Sequence, residues 1–274
     1  MGIKHGLTME LSVTTDMFNY TYKPRMEEKL RLFKDHGFDY VHWCDDWDNE
    51  RLYSREDMNL YRWMLDDRGL TCLDVHGAAT QAARIDADNQ AGHSAYVKLL
   101  KNRIEFCSKV GGDAVVVHPP RYHEPHLENR LRRAEAAIAE AAPLCGVLGV
   151  TLAFENCYRG DHNVLRWLME RFPEEITSFC LDTGHANLHK NLDELEAFKE
   201  RLTVTHINDN RGDDDSHMPP GWGTVDWETV NRLMDSVRKP LNLEVTHSYT
   251  HFRGSMDEFL AETRKAALNH LKAS

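Results

Sequence analysis

No cysteine pattern runs through this chain. Its six cysteines (Cys44, Cys72, Cys107, Cys145, Cys157 and Cys180) form no CxxC pair and keep no regular spacing. That excludes a zinc ribbon, a dithiol redox motif and a disulfide framework, and they read as reduced thiols of a cytoplasmic protein, mostly in core positions. Long apolar runs are missing too. No stretch approaches the ~18 residues that span a bilayer, and Met1-Gly2-Ile3-Lys4-His5 has no apolar signal core, so no membrane partner is expected. Positive charge is in deficit: 33 Lys and Arg against 44 Asp and Glu leave a net −11. This is the wrong sign for a nucleic-acid partner, which requires clustered cations. A Gly-rich phosphate loop after the first strand is absent, as is any low-complexity linker. A homo-oligomer is left open.

What the chain does have is alternation. With 274 residues and 41% apolar side chains it can bury one large core, and an α/β barrel needs about 250 residues. Leu7 to Val13 alternates as a strand, followed by helical spacing from Arg25 to His36 between Pro24 and Gly37. Next come strand Phe38–Cys44 and a helix from Ser54 to Arg68, with Ser54 as N-cap, an acidic first turn and Gly69 as stop. Strand Leu70–His76 precedes helix Ala91–Val110. Strand Ala114–His118 precedes helix Leu127–Leu148, which Pro143 is expected to bend or split. Strands Val150–Asn156, Thr177–Asp182, Leu202–Asn208 and Leu241–Val245 pair with helices Asn163–Arg171, Leu192–Arg201, Asp226–Arg238 and Ser255–Leu271. Eight strand–helix pairs with nothing left over predict a single (β/α)8 TIM barrel over residues 1–274. A doubly wound open sheet is the alternative, and the missing Gly-rich fingerprint weighs against it.

Strand parity says which side chains enter the barrel. Val150, Leu152 and Phe154 oppose Thr151, Ala153 and Glu155; Phe179 and Leu181 oppose Ser178, Cys180 and Asp182; Leu241, Leu243 and Val245 oppose Asn242 and Glu244. Large apolar residues pack against helices, and small or polar ones point inward. Each inward set finishes in a carboxylate at the C-terminal strand end, where barrel enzymes keep their chemistry. The seventh strand is less regular, with Thr203 and Thr205 in its helix-facing positions.

At those strand ends, in chain order, stand His76, His118, Glu155, Asp182 with His185, His206, then Asp215 and His217 in the following loop, and Glu244. One histidine at one strand end means little, since a satisfied structural histidine is the commoner case. Six strands converging on one mouth with only His, Asp and Glu is different, because so many ionisable groups in one cleft are costly unless a cation holds them. A divalent metal site is the expectation.

Phe154-Glu155-Asn156, Leu181-Asp182-Thr183-Gly184-His185, His206-Ile207-Asn208-Asp209 and Gly221-Trp222-Gly223-Thr224-Val225-Asp226-Trp227 resemble the xylose-isomerase-like TIM barrels. That superfamily holds sugar phosphate isomerases and epimerases and zinc-dependent apurinic-site endonucleases. The resemblance implies one metal (zinc or manganese first, magnesium or cobalt also compatible) on Glu155, Asp182, His206 and Glu244. It implies further metal or substrate ligands at His76, His118, His185, Asp215 and His217, allowing one to three ions.

The chemistry implied is isomerisation or epimerisation of a sugar-like hydroxy-ketone through a metal-stabilised enediolate. Glu155 and Glu244 move the proton, His185 bonds a substrate oxygen, and Asn208 or Asp209 orients His206. Dehydration of a keto-polyol starts with the same proton abstraction and is the alternative. A trinuclear-zinc endonuclease is disfavoured by the acidic loop Asn210–Asp215, and a non-catalytic metal-binding barrel is the bland reading. Arg121, Arg211, Trp222 and Trp43 are candidate substrate contacts, with a surface or packing role as the alternative for each.

Overall fold

The computed structural model describes residues 9–18, 24–235, 237–250 and 252–272. Its strands are β1 (Leu11–Thr14), β2 (Tyr40–Trp43), β3 (Thr71–His76), β4 (Ala114–Val117), β5 (Thr151–Glu155), β6 (Thr177–Asp182), β7 (Leu202–His206) and β8 (Leu241–Leu243). All pair in parallel in the order β7-β6-β5-β4-β3-β2-β1-β8. The two ends of that sheet meet. Ile207 N–H donates to the Asn242 carbonyl (2.8 Å) and Glu244 N–H to the Ile207 carbonyl (3.1 Å), which closes a (β/α)8 barrel. The Leu7–Thr8 part of the expected first strand lies outside the described residues.

Around the barrel run α1 (Met26–Asp35), α2 (Arg55–Arg68), α3 (Gln90–Val110), α4 (Leu127–Leu148), α5 (His162–Arg171), α6 (Thr183–His189), α7 (Leu192–Leu195), α8 (Trp227–Leu233) and α9 (Met256–His270). Their ends follow from local chemistry. Ser54 and Asp57 form a reciprocal capping box on α2, Ser255 and Glu258 another on α9, and Gly69 stops α2 at φ 60°. Among the described residues no helix is long and apolar enough to cross a membrane.

Side-chain parity holds. Ala114, Val116, Ala153, Cys180 and Val204 pack together inside the barrel, apart from the larger cluster in which Val115, Leu152, Phe154, Phe179 and Leu181 meet the helices. All six cysteines are free and buried.

Three expectations need correcting. Pro143 does not split α4, which runs through it; the one backbone bond it forgoes lies in the last two turns of a 22-residue helix. The helix expected over Leu192–Arg201 is one α turn followed by a 3₁₀ segment, Glu196–Arg201, and that expected from Asp226 ends at Leu233. A helix the periodicity does not show, α6, follows β6 directly. Its seven residues include Thr, Gly and Asn, poor helix formers, and it is held by Asp182, whose carboxylate accepts from His185 N–H at 2.6 Å.

Candidate metal centre and active site

Glu155, at the end of β5, is the hub. Its Oε2 lies 3.1 Å from His118 Nε2 and 3.7 Å from His76 Nε2, while Oε1 lies 3.2 Å from His185 Nδ1 and 3.3 Å from His206 Nδ1. Glu244, just past β8, brings Oε2 to the same His206 Nδ1 at 3.0 Å. Asp182 stands beside them, its Oδ1 3.6 Å from His185 Nδ1. A second group adjoins the first: Asp215 bridges His185 Nε2 and His217 Nε2, both at 3.2 Å. All nine residues expected at the mouth are thus brought together.

Several of these imidazoles have only one free nitrogen. His76 donates Nδ1–H to the Gly77 carbonyl (2.7 Å) and His217 donates Nδ1–H to the Glu244 carbonyl (2.9 Å). A carbonyl only accepts, so in the neutral ring Nε2 is a bare lone pair, and each Nε2 faces a carboxylate oxygen. Lone pair against carboxylate is repulsive unless a proton or a metal ion lies between them. Such backing by a carbonyl or carboxylate is the usual support of metal-binding histidines. Glu155 Oε2 is buried without a hydrogen-bond partner among the described residues, which fits the same conclusion.

Without an ion, protons fill these gaps. Burial pulls His217 down, yet Asp215 beside it raises it to about 10. Burial likewise works against His76 and His185, but Glu155 raises the first, and Asp182 and Asp215 raise the second. Burial disfavours charge on Glu244, but His206 and His217 hold it down to about 2. Asp182 moves the other way, raised by burial to about 6. Of the carboxylates in this cluster it is the one that keeps its proton longest.

Supports around the site differ from the expected ones. Asn208 does not orient His206; its Nδ2–H donates to Asp182 Oδ2 at 2.7 Å. Asn156 fixes the Asp182 backbone through paired bonds of 2.8 Å. Asp209 does not reach His206 either. It accepts from the N–H groups of Asn210 (2.9 Å), Gly221 (2.9 Å) and Val225 (3.0 Å) and from Trp227 Nε1–H (3.4 Å), tying down the loop that carries Asp215 and His217. His217 sits in that loop at φ 43°, a left-handed conformation uncommon outside glycine.

Above the cluster opens a cavity of about 770 Å³. His76, His118, Glu155, His185, His217 and Glu244 line one side; the β1 and β2 loops supply Asp16, Phe18, Asp45, Asp46, Trp47 and Asp48, with Lys29 from α1. Those loop residues were not singled out in the sequence, where only their position after β1 and β2 could have marked them.

The proposed substrate contacts fare unevenly. Arg121 lines a smaller pocket next to His118 and lies over the Tyr158 ring at 4.9 Å. Trp43 is fully buried in the helix layer, donating Nε1–H to Tyr53 Oη at 3.1 Å. Since His42 points inward, alternation sends Trp43 outward. Trp222 packs against Phe252 and Phe259, and Arg211 is exposed; neither lines the cavity. Missed altogether was Asp74, buried on β3 and bonded to Nδ1 of the equally buried His42.

This fold has counterparts among known proteins. The model of the xylose isomerase-like TIM barrel family matches residues 30–273, and the chain belongs to that family. An L-ribulose-5-phosphate 3-epimerase of Shigella flexneri is 27% identical over 73% of this chain and 74% of its own. A D-psicose 3-epimerase, solved in the presence of D-fructose, superposes with a TM-score of 0.76 at 14% identity, covering 96% of this chain and 99% of its own. An IOLI protein with a bound zinc atom gives 0.76 at 16% identity over 96% and 98%.

Proposed function

We propose that this chain is a metal-dependent sugar isomerase or epimerase that moves a proton on a carbon next to a carbonyl. The observation that carries this reading is the approach of Glu155 and Glu244, from opposite parts of the barrel, to the same His206 Nδ1 at 3.3 and 3.0 Å beneath a sugar-sized cavity. Glu155, Asp182, His206 and Glu244 would hold a divalent cation, zinc or manganese in the first place. When bound, that ion draws charge from a carbonyl and the neighbouring hydroxyl and so acidifies the C–H between them.

The remaining work falls to the chain's own residues. One of the two glutamates takes the proton with its free oxygen and the other returns it from across the substrate. His185, steadied by Asp215, presents its ring to the same space. His76, His118, Asp215 and His217 form donor sets suited to further ions or to substrate oxygens. The named functions of the epimerase relatives support proton transfer on a ketose; dehydration of a keto-polyol is the competing outcome of the same abstraction. Charge favours an unphosphorylated substrate. Asp16, Asp45, Asp46, Asp48 and Asp214 line the cavity, and Lys29, the lining lysine, is bound to Asp45 at 2.5 Å. The same acidity stands against abasic DNA.

The test is solvent-deuterium exchange into a panel of free and phosphorylated ketoses by protein reconstituted with manganese or zinc, followed by NMR. Glu155→Gln and Glu244→Gln should each reduce exchange ~10²–10⁴-fold. Exchange that survives both substitutions would remove the glutamates from the mechanism. Metal content by elemental analysis gives the number of ions.

A further inference from the structure

We propose a second cation site, softer than the one above, formed by His42 Nε2, Cys44 Sγ and Glu244 Oε1 and suited to zinc. Three observations converge on it. His42 and Cys44 lie two residues apart, His42 inside the barrel and Cys44 lining the cavity at the head of β2, and both are buried. Their donor atoms and a Glu244 oxygen lie within 4.8 Å of one another. Donors around a tetrahedral zinc stand roughly 3.3–3.8 Å apart. His42 Nε2 is already 3.7 Å from Glu244 Oε1, so only Cys44 has to close, by about 1 Å or less.

The second observation is the unsatisfied nitrogen itself. His42 Nε2 is fully buried and has no hydrogen-bond partner among the described residues. Its other nitrogen is committed to Asp74. Nε2 is therefore the nitrogen left to face Glu244 Oε1, at 3.7 Å. A carboxylate–histidine pair with a bare Nε2 is the arrangement that orients metal-binding imidazoles.

The third is a feature of the sheet. Tyr40 pairs with Thr71 and Val41 with Cys72, but the register shifts between Val41 and His42, so that His42 pairs with Asp74 and not with Leu73. One extra residue on β3 therefore places a carboxylate behind the imidazole. Register irregularities of this kind re-aim side chains next to functional sites.

The set is one thiol, one imidazole and one carboxylate, with a fourth position open to the cavity because Cys44 and Glu244 both line it; burial, Asp16 and Glu244 push the Cys44 thiol up, so the ion binds by displacing its proton. That composition selects zinc or cobalt over magnesium. Glu244 would face this ion with Oε1 and the His206 group with Oε2, linking the two sites; with both oxygens held it has none free to move a proton, so filling this site takes Glu244 out of turnover. None of this depends on which sugar is turned over.

Cobalt(II) titration of the metal-free full chain tests it, because thiolate ligation gives an intense near-ultraviolet charge-transfer band that oxygen and nitrogen ligands do not. The expected result is a band that grows with the second equivalent. Cys44→Ser should abolish it and lower the stoichiometry by one, and Asp74→Asn should weaken that binding step ~10–100-fold. The rival thiol is Cys157, which lies near Glu155 and His185. A band that survives Cys44→Ser or disappears in Cys157→Ser overturns the proposal. So does saturation without any band, which would mean that a proton occupies His42 Nε2. If Cys44→Ser does not fold, X-ray absorption on the wild-type zinc protein decides, with sulfur in the zinc shell expected and its absence refuting the site. Failure of wild-type protein to bind any divalent ion would overturn this site and the isomerase reading together, whereas binding without sulfur overturns this site alone.

Discussion

Replacing Asp209 with Asn changes one atom and should unfasten one wall of the active site. The Asp209 carboxylate is fully buried and collects four donors: Asn210 and Val225 N–H on Oδ1, Gly221 N–H and Trp227 Nε1–H on Oδ2. An amide keeps one acceptor oxygen and presents an NH₂ in place of the other, so one pair of donors faces N–H groups whichever way Asn is turned. Each charge-assisted bond lost is worth ~1.5–3 kcal/mol, and a buried donor left unmade costs ~1–3 kcal/mol. The weaker pair includes the long 3.4 Å contact from Trp227, so the amide settles there and the net loss is ~3–4 kcal/mol. Urea unfolding of both proteins measures this difference. Amide exchange at Gly221 should rise well before that of barrel residues such as Val116, because the loop opens before the strands. Metal affinity should fall too, since Asp215 and His217 ride on the same loop. A stability change under about 1 kcal/mol, with unaltered Gly221 exchange, would refute the claim that Asp209 holds the loop.

Three further outcomes are expected. Chelating the metal should destabilise the protein by ~2.7 kcal/mol relative to protein at a hundred times its dissociation constant, read as a fall in urea midpoint; an unchanged midpoint would mean that no ion is bound. Asp161 is buried with Oδ1 unpartnered among the described residues, and burial raises its pKa to about 7. A carboxyl whose folded pKa lies above its unfolded value contributes stability below the unfolded value and loses it as pH rises through the folded one. Asp161→Asn, in the presence of chelator, should therefore gain roughly 2–3 kcal/mol more at pH 8 than at pH 5, and parallel pH–stability curves for the two proteins would contradict this. Gly184→Ala puts a Cβ 1.8 Å from Asn208 Oδ1. In an open helix the change gains about 1 kcal/mol, but here overpacking of ~1–3 kcal/mol should win and loosen Asn208 from Asp182, weakening metal binding; a more stable variant with wild-type affinity would refute it.

How much of this was legible in the sequence depended on the range of the signal. Alternation along β5, β6 and β8 is local, so the inward direction of Glu155 and Asp182 could be read from Ala153 and Cys180 before them, and the barrel interior confirms it. Cap chemistry is equally local at Ser54 and Ser255. The loop roles were not. Asn208 and Asp209 are neighbours with similar side chains, yet one supports Asp182 and the other a turn some fifteen residues away, and no single-strand pattern separates them. Trp43 was misplaced for want of applying to β2 the parity used elsewhere: with His42 inside, Trp43 had to be outside.

Asp74 marks the limit. It lies among Cys72, Leu73 and Val75, where strict alternation gives a carboxylate on the same face as Cys72 and His76 and says nothing of its partner across the sheet. Its meeting with His42 depends on a one-residue register shift between β2 and β3, a property of two strands that neither strand's sequence contains. Carrying strict register on from the Val41–Cys72 pair, with Leu73 kept, would set His42 against Leu73 and turn Asp74 and His76 to opposite faces from those they now occupy. One residue would then remove both His76 from Glu155 and Asp74 from His42, so the irregularity in the sheet ties the architecture of the barrel to the chemistry at its mouth.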